Sequence, residues 1–428
     1  MRLERVAIDG DPAGTATRTR ALQPAPASVE EVVRDVVAAV RAGGDEAVRE
    51  LTARFDTGGA VPPPLRVRPE ELEAALAQLD PAVRAALDVA VTNVAMVADA
   101  AGGEDRMVRL PQGHTVTLRE VPVRRAAIYV PGGRSPYPST VVMGVVTARA
   151  AGVEEVCVCT PPATGGDAHP VVLGACALVG ASEVYRMGGA QAVAALALGT
   201  QSIPRVDVVA GPGLLFVQEA KRQLSGEVGI DLFAGPSDLL ILCDGEADVH
   251  ALALDLLAQA EHGAGSLAAA VSDDAALLDL LEAEVEAAAA RRPEVELAPV
   301  LLAEAASLRE ALAFAEHLAP EHLQLVGPEA EALAHLVRAA GCVLVGADSG
   351  TAFSDYVAGS NHTLPTGGAA RFASGLGPRA FRRRISEVRV GKAAGALAPA
   401  GAAVARAEGL EFHAESMEAR MREDGPRR

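Results

Sequence analysis

Tryptophan is absent from this chain of 428 residues, and aromatic residues make up only 3% of it. Half of the residues are nevertheless apolar, so Ala, Val, Leu and Gly have to fill the interior. Such side chains suit helices packed on sheets. The chain is too long for one ordinary core and has room for two or more domains.

An excess of basic residues is also missing, since the formal net charge is −18. An acidic surface repels nucleic acid and anionic membranes, so neither is an expected partner. The cluster Arg382-Arg383-Arg384 is the exception, and we predict that it forms the solvated face of a helix.

Long uncharged apolar segments are lacking too, and none reaches the ~18 residues of a membrane-spanning helix. The first ten residues contain no apolar core of the kind that signal peptides have, so no signal peptide is expected. The five cysteines are odd in number, and Cys157-Val-Cys159 has the wrong spacing for a zinc knuckle, which predicts reduced core thiols. Together these features predict a soluble, cytoplasmic protein.

Short β-rich runs alternate with Ala-rich helices from about residue 121 onwards. This alternation predicts an α/β fold with mostly parallel sheets covered by helices. Helical periodicity extends over 29–54 and 69–101, and the chain after about 376 is predicted to be helical and charged. The predicted strands are 126–130, 156–159, 183–185, 206–209, 238–242, 267–271, 322–326 and 342–346, with helices such as 169–180, 190–198 and 247–261 between them.

The usual dinucleotide fingerprint, G-x-G-x-x-G after a strand, is missing. Glycine-rich turns do follow predicted strands at Pro131-Gly132-Gly133, Gly188-Gly189 and Gly211-Pro212-Gly213. Ligands of α/β proteins collect at the carboxyl ends of strands, but tight turns alone explain these glycines equally well. Ser139 and Thr140 are predicted to cap the helix after the first turn.

Gln259 and His262 lie at the end of the predicted helix 247–261, with Gly263 as a helix stop. Their i, i+3 spacing places both on one side of the helix. An amide oxygen and an imidazole can bind zinc. Taken alone, however, a histidine that is satisfied by the last helix carbonyls is the more common case.

Glu321 and His322 precede a predicted strand and could form a general acid–base pair, because imidazole titrates near neutrality and a carboxylate can activate water. The alternative is that both are solvated in a turn that begins at Pro320. The polar, glycine-rich stretch 354–368 is predicted to be a functional loop in which Asp355 could add a metal-binding oxygen. Glu408 and His413 lie in the charged tail, where His413 alone would be an exposed helix residue.

These segments occur in one fixed order over about residues 28–413, and in that order the chain resembles the histidinol dehydrogenase family. Several long motifs carry the resemblance. They are YVPGG (129–133), PYPST (136–140), GGAQA (188–192), GPG (211–213), EAKR (219–222), AGPS (234–237), QAEHG (259–263), PEHLQL (320–325), DYVAGSNHTLPT (355–366) and ARFASGL (370–376).

The resemblance implies roles for individual residues. One zinc per subunit would be held by Gln259, His262, Asp355 and His413. Glu321 and His322 would be the acid–base pair, and Tyr129 and Gln191 would meet NAD. The substrate pocket would be lined by Ser237, His362 and Glu408, together with His322 and the four zinc ligands.

The resemblance also implies a fold of two Rossmann-like, doubly wound domains that lack the usual fingerprint. Residues 26–128 with 236–375 would form the first, carrying the zinc and catalytic residues, and 129–235 the nucleotide side. Residues 1–25 would be an N-terminal arm. The tail, 376–428, would be exchanged in a homodimer, so that the two subunits share their active sites.

The reaction implied is the four-electron oxidation of L-histidinol to L-histidine through L-histidinal with two NAD, the last step of histidine biosynthesis. Leu214 departs from the family pattern, which usually has an Asn there in contact with the nucleotide. Two alternatives stay open. The chain is a paralogue that oxidises another small polar alcohol with zinc and NAD, or it is a non-catalytic, zinc-stapled dimer.

Overall fold

The computed structural model describes residues 2–23, 29–132, 135–163, 166–232, 235–263 and 265–421. Its strands are β1 (Leu3–Ala7), β2 (Arg106–Arg109), β3 (Thr115–Pro122), β4 (Arg125–Tyr129), β5 (Glu155–Thr160), β6 (Glu183–Arg186), β7 (Val208–Ala210), β8 (Gly229–Ile230), β9 (Asp238–Cys243), β10 (Leu267–Ser272), β11 (Val300–Glu304), β12 (His322–Val326), β13 (Cys342–Val345) and β14 (Arg382–Arg389).

The helices alternate with these strands along most of the chain. They are α1 (Pro12–Arg20), α2 (Glu30–Gly43), α3 (Asp45–Phe55), α4 (Pro69–Ala77), α5 (Pro81–Ala100), α6 (Pro138–Ala150), α7 (Pro170–Leu178), α8 (Gly189–Leu198), α9 (Leu215–Leu224), α10 (Val249–Ala260), α11 (Ala275–Ala290), α12 (Leu308–Leu318), α13 (Pro328–Glu331), α14 (Thr351–Tyr356), α15 (Ala394–Ala407) and α16 (Glu411–Glu418).

The chain divides into two compact units. The first comprises Met1–Ala101 and Val123–Phe381, and the second comprises Gly102–Pro122 and Arg382–Arg428. The first unit contains both parallel sheets, whereas the second contains an antiparallel sheet and the helices α15 and α16.

A five-stranded parallel sheet in the first unit has the order β6-β5-β4-β7-β8. Side chains alternate between the two faces of a strand. Ala126 and Ile128 of β4 therefore share one core with α4, α5, α6 and α7, whereas Ala127 and Tyr129 share the other with α2, α8 and α9. Both faces are covered, so β4 is buried along its whole length.

A six-stranded parallel sheet has the order β1-β11-β10-β9-β12-β13. Leu240 and Leu242 pack against α12 on one face, and Leu239 and Ile241 pack against α10 and α11 on the other. Counted from its own first strand, each sheet has the doubly wound order 3-2-1-4-5, with β1 added outside in the larger one. The predicted α/β fold with two parallel sheets is confirmed.

Two segments pack in other parts of the fold than the predicted domain division implies. The N-terminal segment is not an arm, because β1 pairs with β11 along the edge of the six-stranded sheet and α1 packs on α12. Helices α2–α5 pack mainly on the helices of the five-stranded sheet, although Asn93 of α5 also donates to the carbonyl oxygen of Val357. Both placements depend on partners that are distant in sequence, which local periodicity does not encode.

The predicted helical stretches before residue 101 are each divided in two. Gly44 separates α2 from α3 with a φ of +57°, which favours glycine. Asp80 caps α5, whose first residue is Pro81, and this pair ends the preceding helix. Within the described ranges, one helix, α5, is long and apolar enough to cross a membrane by length and composition alone. Its Leu87, Ala90 and Val94 pack in the core of the first unit.

The second unit contains an antiparallel sheet of order β14-β3-β2. The prediction that Arg382-Arg383-Arg384 lies on a helix is wrong, because these residues begin β14 and pair with Pro122, Val121 and Glu120 of β3. The local sequence does not reveal this strand, because three consecutive arginines have no apolar periodicity and their pairing partner β3 lies far away in sequence. The cluster is still largely exposed.

Gly144 provides a test of how tightly α6 packs on β4. A Cβ at this position would lie 2.4 Å from Cγ2 of Ile128, a buried side chain. We expect Gly144→Ala to lower the stability by about 1–3 kcal/mol through overpacking, in spite of the better helix propensity of Ala. Thermal unfolding should show a lower melting temperature.

Gly226→Ala is the matched control, since a Cβ there would meet nothing within 4 Å. Its melting temperature should stay close to that of the parent protein. Equal stability of the two variants would contradict the packing described for α6.

Candidate active site

A pocket of about 230 Å³ brings together edges of both parallel sheets. The carboxyl ends of β4 and β7 contribute one wall, and the amino ends of β9 and β12 contribute the other. Its lining residues are Pro131, Tyr137, Ser139, Thr140, Pro212, Gly213, Leu214, Gly235, Pro236, Ser237, His262, Ser266, Glu321, His322, Asp355, Tyr356 and His362. Six of the sequence-predicted site residues therefore meet here: Ser237, His262, Glu321, His322, Asp355 and His362.

Glu321 and His322 are buried at the entry to β12, with exposures of 5% and 2%. The alternative of a solvated turn is therefore wrong. β12 lies between β9 and β13, and this central position removes its first residues from water. The backbone N–H of Glu321 donates to Oδ1 of Asp238 (2.7 Å), and the N–H of Asp238 donates to Oε2 of Glu321 (3.0 Å).

The imidazole of His322 has no hydrogen-bond partner among the described residues. Its Nδ1 lies 3.9 Å from Oε2 of Glu321, and its Nε2 lies 3.6 Å from Oδ1 of Asp355. Both distances exceed those of a hydrogen bond. A buried polar group without a partner is costly and is found at sites that bind something. Burial lowers the pKa of His322, so its neutral, proton-accepting form is favoured.

Burial also shifts the pKa of Glu321. It disfavours the charged carboxylate and raises this pKa well above its usual range. The nearby carboxylate of Asp238 adds to the same effect. Burial therefore favours a protonated carboxyl group beside a neutral imidazole. Such a pair can donate and accept protons on one small ligand.

Three predicted zinc ligands, Gln259, His262 and Asp355, belong to the first unit. Nδ1 of His262 lies 3.1 and 3.2 Å from the carbonyl oxygens of Ala258 and Gln259. A carbonyl oxygen only accepts hydrogen bonds, so Nδ1 carries the proton and Nε2 keeps its lone pair. The last carbonyls of α10 thus satisfy His262 and also fix the tautomer that a metal ligand needs.

The other two donors are only partly satisfied within the protein. Gln259 is buried, with its Nε2 unpartnered, and the Ser237 hydroxyl donates to its Oε1 at the limiting distance of 3.5 Å. Asp355 lies near the end of α14, where the stretch predicted as a loop is still helical. An amide oxygen, an imidazole and a carboxylate fit the preferences of zinc. The described residues contain no group of three or more His, Cys, Asp or Glu placed to hold a metal ion.

His362 is held on both ring nitrogens. Its Nδ1 donates to the carbonyl oxygen of Asp355 (2.8 Å), so the Thr140 hydroxyl donates to its Nε2 (3.1 Å). The prediction that Ser139 and Thr140 cap α6 is wrong, since α6 begins at Pro138 after Tyr137 and has no side-chain cap. Thr140 instead anchors an imidazole of the pocket, a role with no local sequence signal.

A hydrogen bond behind the pocket links two of the elements that carry site residues. Nε2 of Gln324 on β12 donates to Oδ2 of Asp255 on α10 (2.9 Å). Asp255 precedes Gln259 by one helical turn, and Gln324 follows His322 by one strand period, so each pair shares one side of its element. The carboxylate also approaches Gly350, just before α14, where a Cβ would lie 2.9 Å from Oδ1 of Asp255.

Tyr129 and Gln191, the predicted NAD contacts, are buried and do not line this pocket. The N–H of Gly189 donates to the Tyr129 hydroxyl (3.1 Å), and Nε2 of Gln191 donates to Oδ2 of Asp56 (3.1 Å). Burial raises the pKa of Asp56 to about 6. Sequence analysis missed Asp56, which follows α3 and has no motif around it.

Two remaining predicted residues, Glu408 and His413, belong to the second unit. Glu408 caps the end of α15, His413 lies in α16, and both side chains are exposed. Gly133 of the first glycine-rich turn and Ala234 of the AGPS motif lie outside the described residues.

Two parallel sheets that meet at a buried carboxyl–imidazole pair define a class of protein, an α/β enzyme with acid–base chemistry. Comparisons with known proteins narrow this class. The model of the family described as histidinol dehydrogenase matches residues 19–421. The histidinol dehydrogenases of Rhodospirillum rubrum (40% identical) and Thermobifida fusca (41% identical) each match over 98% of both chains.

A solved structure agrees with this result. The crystal structure of histidinol dehydrogenase from Elizabethkingia anophelis superimposes with a TM-score of 0.90 at 29% identity and covers 98% of each chain. The chain belongs to the histidinol dehydrogenase family, which confirms the resemblance found in its motifs. The protein is an enzyme of the NAD-dependent oxidoreductase class.

The buried carboxyl group generates a prediction for stability. The pKa of Glu321 in the folded protein lies well above the ~4.3 of an unfolded Glu. The stability that the protonated Glu321 contributes is therefore fully present below pH ~4.3 and is lost as the pH rises through the folded pKa. Glu321→Gln in the metal-free protein should therefore stabilise it by about 1–3 kcal/mol at alkaline pH. Thermal unfolding from about pH 5.5 to 9 should show a gain that grows with pH.

Glu329→Gln is the control, because Glu329 is an exposed carboxylate beyond the other end of β12. Its effect on the melting temperature should be small at every pH. A pH-independent gain in Glu321→Gln would contradict the raised pKa.

Proposed function

We propose that the protein oxidises L-histidinol to L-histidine through L-histidinal, with two NAD and one zinc per subunit, as the last step of histidine biosynthesis in the cytoplasm. The observation that carries the proposal is the buried, unpartnered imidazole of His322 beside Glu321. Membership of the histidinol dehydrogenase family supports the choice of substrate.

His322 is the proposed base of the first oxidation. Its neutral form accepts the proton of the substrate hydroxyl while hydride passes to the nicotinamide, and burial favours that form. Neither ring nitrogen has a hydrogen-bond partner among the described residues, so a substrate hydroxyl group meets no competing hydrogen bond from them.

Glu321 is the proposed base that activates water for attack on the aldehyde. Burial favours its protonated form, so it has to ionise before it can accept a proton from water. The second oxidation should therefore accelerate as the pH rises. The reciprocal hydrogen bonds with Asp238 hold the carboxyl group in place during both steps.

The proposed zinc ligands in the first unit are Gln259, His262 and Asp355. Bound zinc would supply a Lewis acid that binds the amine and imidazole of the substrate. The protonated Nδ1 of His262 and the unpartnered amide of Gln259 support this assignment. Ser237 and His362, which line the pocket, are proposed substrate contacts, as are His322 and the ligands themselves.

Glu408 and His413 are proposed to complete the site, with Glu408 on the substrate and His413 on the zinc. This assignment rests on the family resemblance. We propose a homodimer in which the tail is exchanged and each site is shared between two subunits.

NAD is proposed to bind at the carboxyl edge of the five-stranded sheet. Because Tyr129 and Gln191 are buried around the Gly188–Gly189 turn, they support that turn more directly than they can contact the dinucleotide. Leu214 is 79% exposed at the pocket, where its side chain can pack against NAD but cannot donate a hydrogen bond to it.

The overall assignment is tested by NADH formation. Zinc-loaded protein should release two NADH for each histidinol and none for an amino alcohol without an imidazole. Treatment with a chelator should abolish turnover without unfolding the protein, and zinc should restore it, because the proposed ligands are spread over several elements of a folded core. Full activity of a metal-free preparation would refute the zinc assignment. Turnover of the imidazole-free alcohol alone would favour a paralogous substrate.

The division of labour between Glu321 and His322 is tested separately for each oxidation. Loss of a positioned base costs about 10²–10⁴-fold in rate. His322→Asn should lose that much in both half-reactions, since each removes a proton from oxygen. Glu321→Gln should lose it mainly when histidinal is supplied as the substrate.

Single-turnover kinetics with histidinol and with histidinal separate these outcomes, and Glu329→Gln is again the control. Equal losses in both half-reactions of Glu321→Gln would contradict its role in activating water.

A further inference from the structure

A lysine and an aspartate form a completely buried ion pair beneath the five-stranded sheet's carboxyl edge. Nζ of Lys221, on α9, lies 2.7 Å from Oδ1 of Asp231, which follows β8, and both side chains are 0% exposed. Neither belongs to the proposed chemistry, although Lys221 lies in the EAKR motif. Burying two charges is costly, and an apolar pair of similar volume is often as stable. Fold stability alone therefore does not account for this pair.

Both charged groups bind one residue, Gly211. Nζ of Lys221 donates to its carbonyl oxygen (2.5 Å), and its N–H donates to Oδ2 of Asp231 (2.7 Å). The ion pair thus satisfies the donor and the acceptor of a single peptide position. This closed set of bonds fixes the orientation of the backbone directly after β7.

The backbone at position 211 leaves no room for any residue other than glycine. Its φ is +117°, and a Cβ would lie 2.1 Å from the carbonyl oxygen of Tyr129 at the end of β4. The backbone after β7 therefore passes directly against the end of β4. In the 3-2-1-4-5 order of this sheet, β4 and β7 flank the point where the winding reverses, the usual place for a nucleotide in α/β proteins.

The turn that Gly211 begins reaches the candidate active site. Pro212, Gly213 and Leu214 line the pocket that also contains Glu321 and His322. The ion pair is excluded from that pocket, so it can affect a ligand only through the position of this turn.

We propose that Lys221 and Asp231 are positioning residues that hold the Gly211–Gly213 turn in the conformation that receives the nicotinamide dinucleotide. The inference rests on the proposed use of NAD and specifies what presents the binding turn. It predicts that loss of the pair weakens dinucleotide binding and leaves histidinol binding unchanged, because the histidinol contacts come from other elements.

The experiment compares full-length, zinc-loaded variants at a temperature well below unfolding. Lys221→Met and Asp231→Asn each leave one buried charge unpaired and are expected to be less stable. The double variant K221M/D231L removes both charges and keeps an apolar core, so it tests the proposal in a folded protein. Calorimetry measures the dissociation constants of NADH and of histidinol separately, and hydrogen exchange reports on the peptide that contains Gly211.

In K221M/D231L, the dissociation constant of NADH should rise on the order of tenfold or more, as expected when a binding group is displaced. The histidinol constant should change by about twofold or less. KM for NAD should rise more than kcat falls, and exchange at Gly211 should be faster. Unchanged NADH binding would overturn the proposal, and so would equal weakening of both ligands, which would indicate a purely structural role.

Arg125 provides the control, because this buried cation pairs with the partly exposed Glu155 (2.7 Å) at the opposite, amino edge of the same sheet. Arg125→Met should lower the melting temperature without changing NADH binding. If the parent protein binds NADH but does not oxidise histidinol, the proposed substrate fails while the comparison of NADH constants stands. The two failures are therefore distinguishable.

Discussion

The carboxylate of Asp238 is the contact on which the first unit's active-site region depends. It is fully buried at the start of β9. Its Oδ1 accepts the backbone N–H of Glu321, and its Oδ2 pairs with Arg20 at the end of α1 (2.6 Å). Arg20 also donates to the carbonyl oxygen of Leu318 at the end of α12 (2.5 Å). A buried charge is tolerated only when it is paired and hydrogen-bonded, so these partners have to stay in place together. The Asp238–Arg20 pair therefore joins the N-terminal segment to β9 and to the start of β12, where the proposed catalytic residues lie.

The proposed chemistry lies at an unusual edge of a sheet. Ligands of doubly wound proteins normally collect at the carboxyl ends of the strands. Here Asp238, Glu321 and His322 lie at the amino ends of β9 and β12 in one sheet, where α10 ends and His262 follows. The carboxyl edge of the other sheet supplies Pro131, Pro212 and Gly213 to the same pocket. One sheet thus contributes the proposed acid–base residues and the other contributes glycine-rich turns, an arrangement that suits the proposed reaction between a small polar substrate and a dinucleotide.

Sequence analysis proposed the reactive residues because they lie in long, ordered motifs, but it did not anticipate the side chains that support them. Glu321 and His322 looked as compatible with a solvated turn as with a buried pair, and burial by β9 and β13 decides between the two. Tyr129 and Gln191 were expected at the ligand, whereas the structure places them beneath the Gly188–Gly189 turn. Asp56 and Asp255 lie outside the motifs, and Thr140 and Gln324 lie within motifs that gave no sign of their hydrogen bonds to His362 and Asp255. Each acts through a partner that is remote in the chain, so its immediate neighbours hold no sign of it.

The sequence by itself determined the α/β class, most strands of the two parallel sheets and the set of side chains that could do chemistry. These properties follow from the alternation of residues a few positions apart and from motifs that are read locally. Only the tertiary structure decided that β1 closes the edge of a sheet, that β14 pairs with β3, and that the buried His322 has no hydrogen-bond partner in the part of the chain that the structure describes. Strand pairing, burial and the tautomers of His262 and His362 depend on atoms that meet only after the chain has folded. They are therefore properties of the packed molecule and not of any single segment.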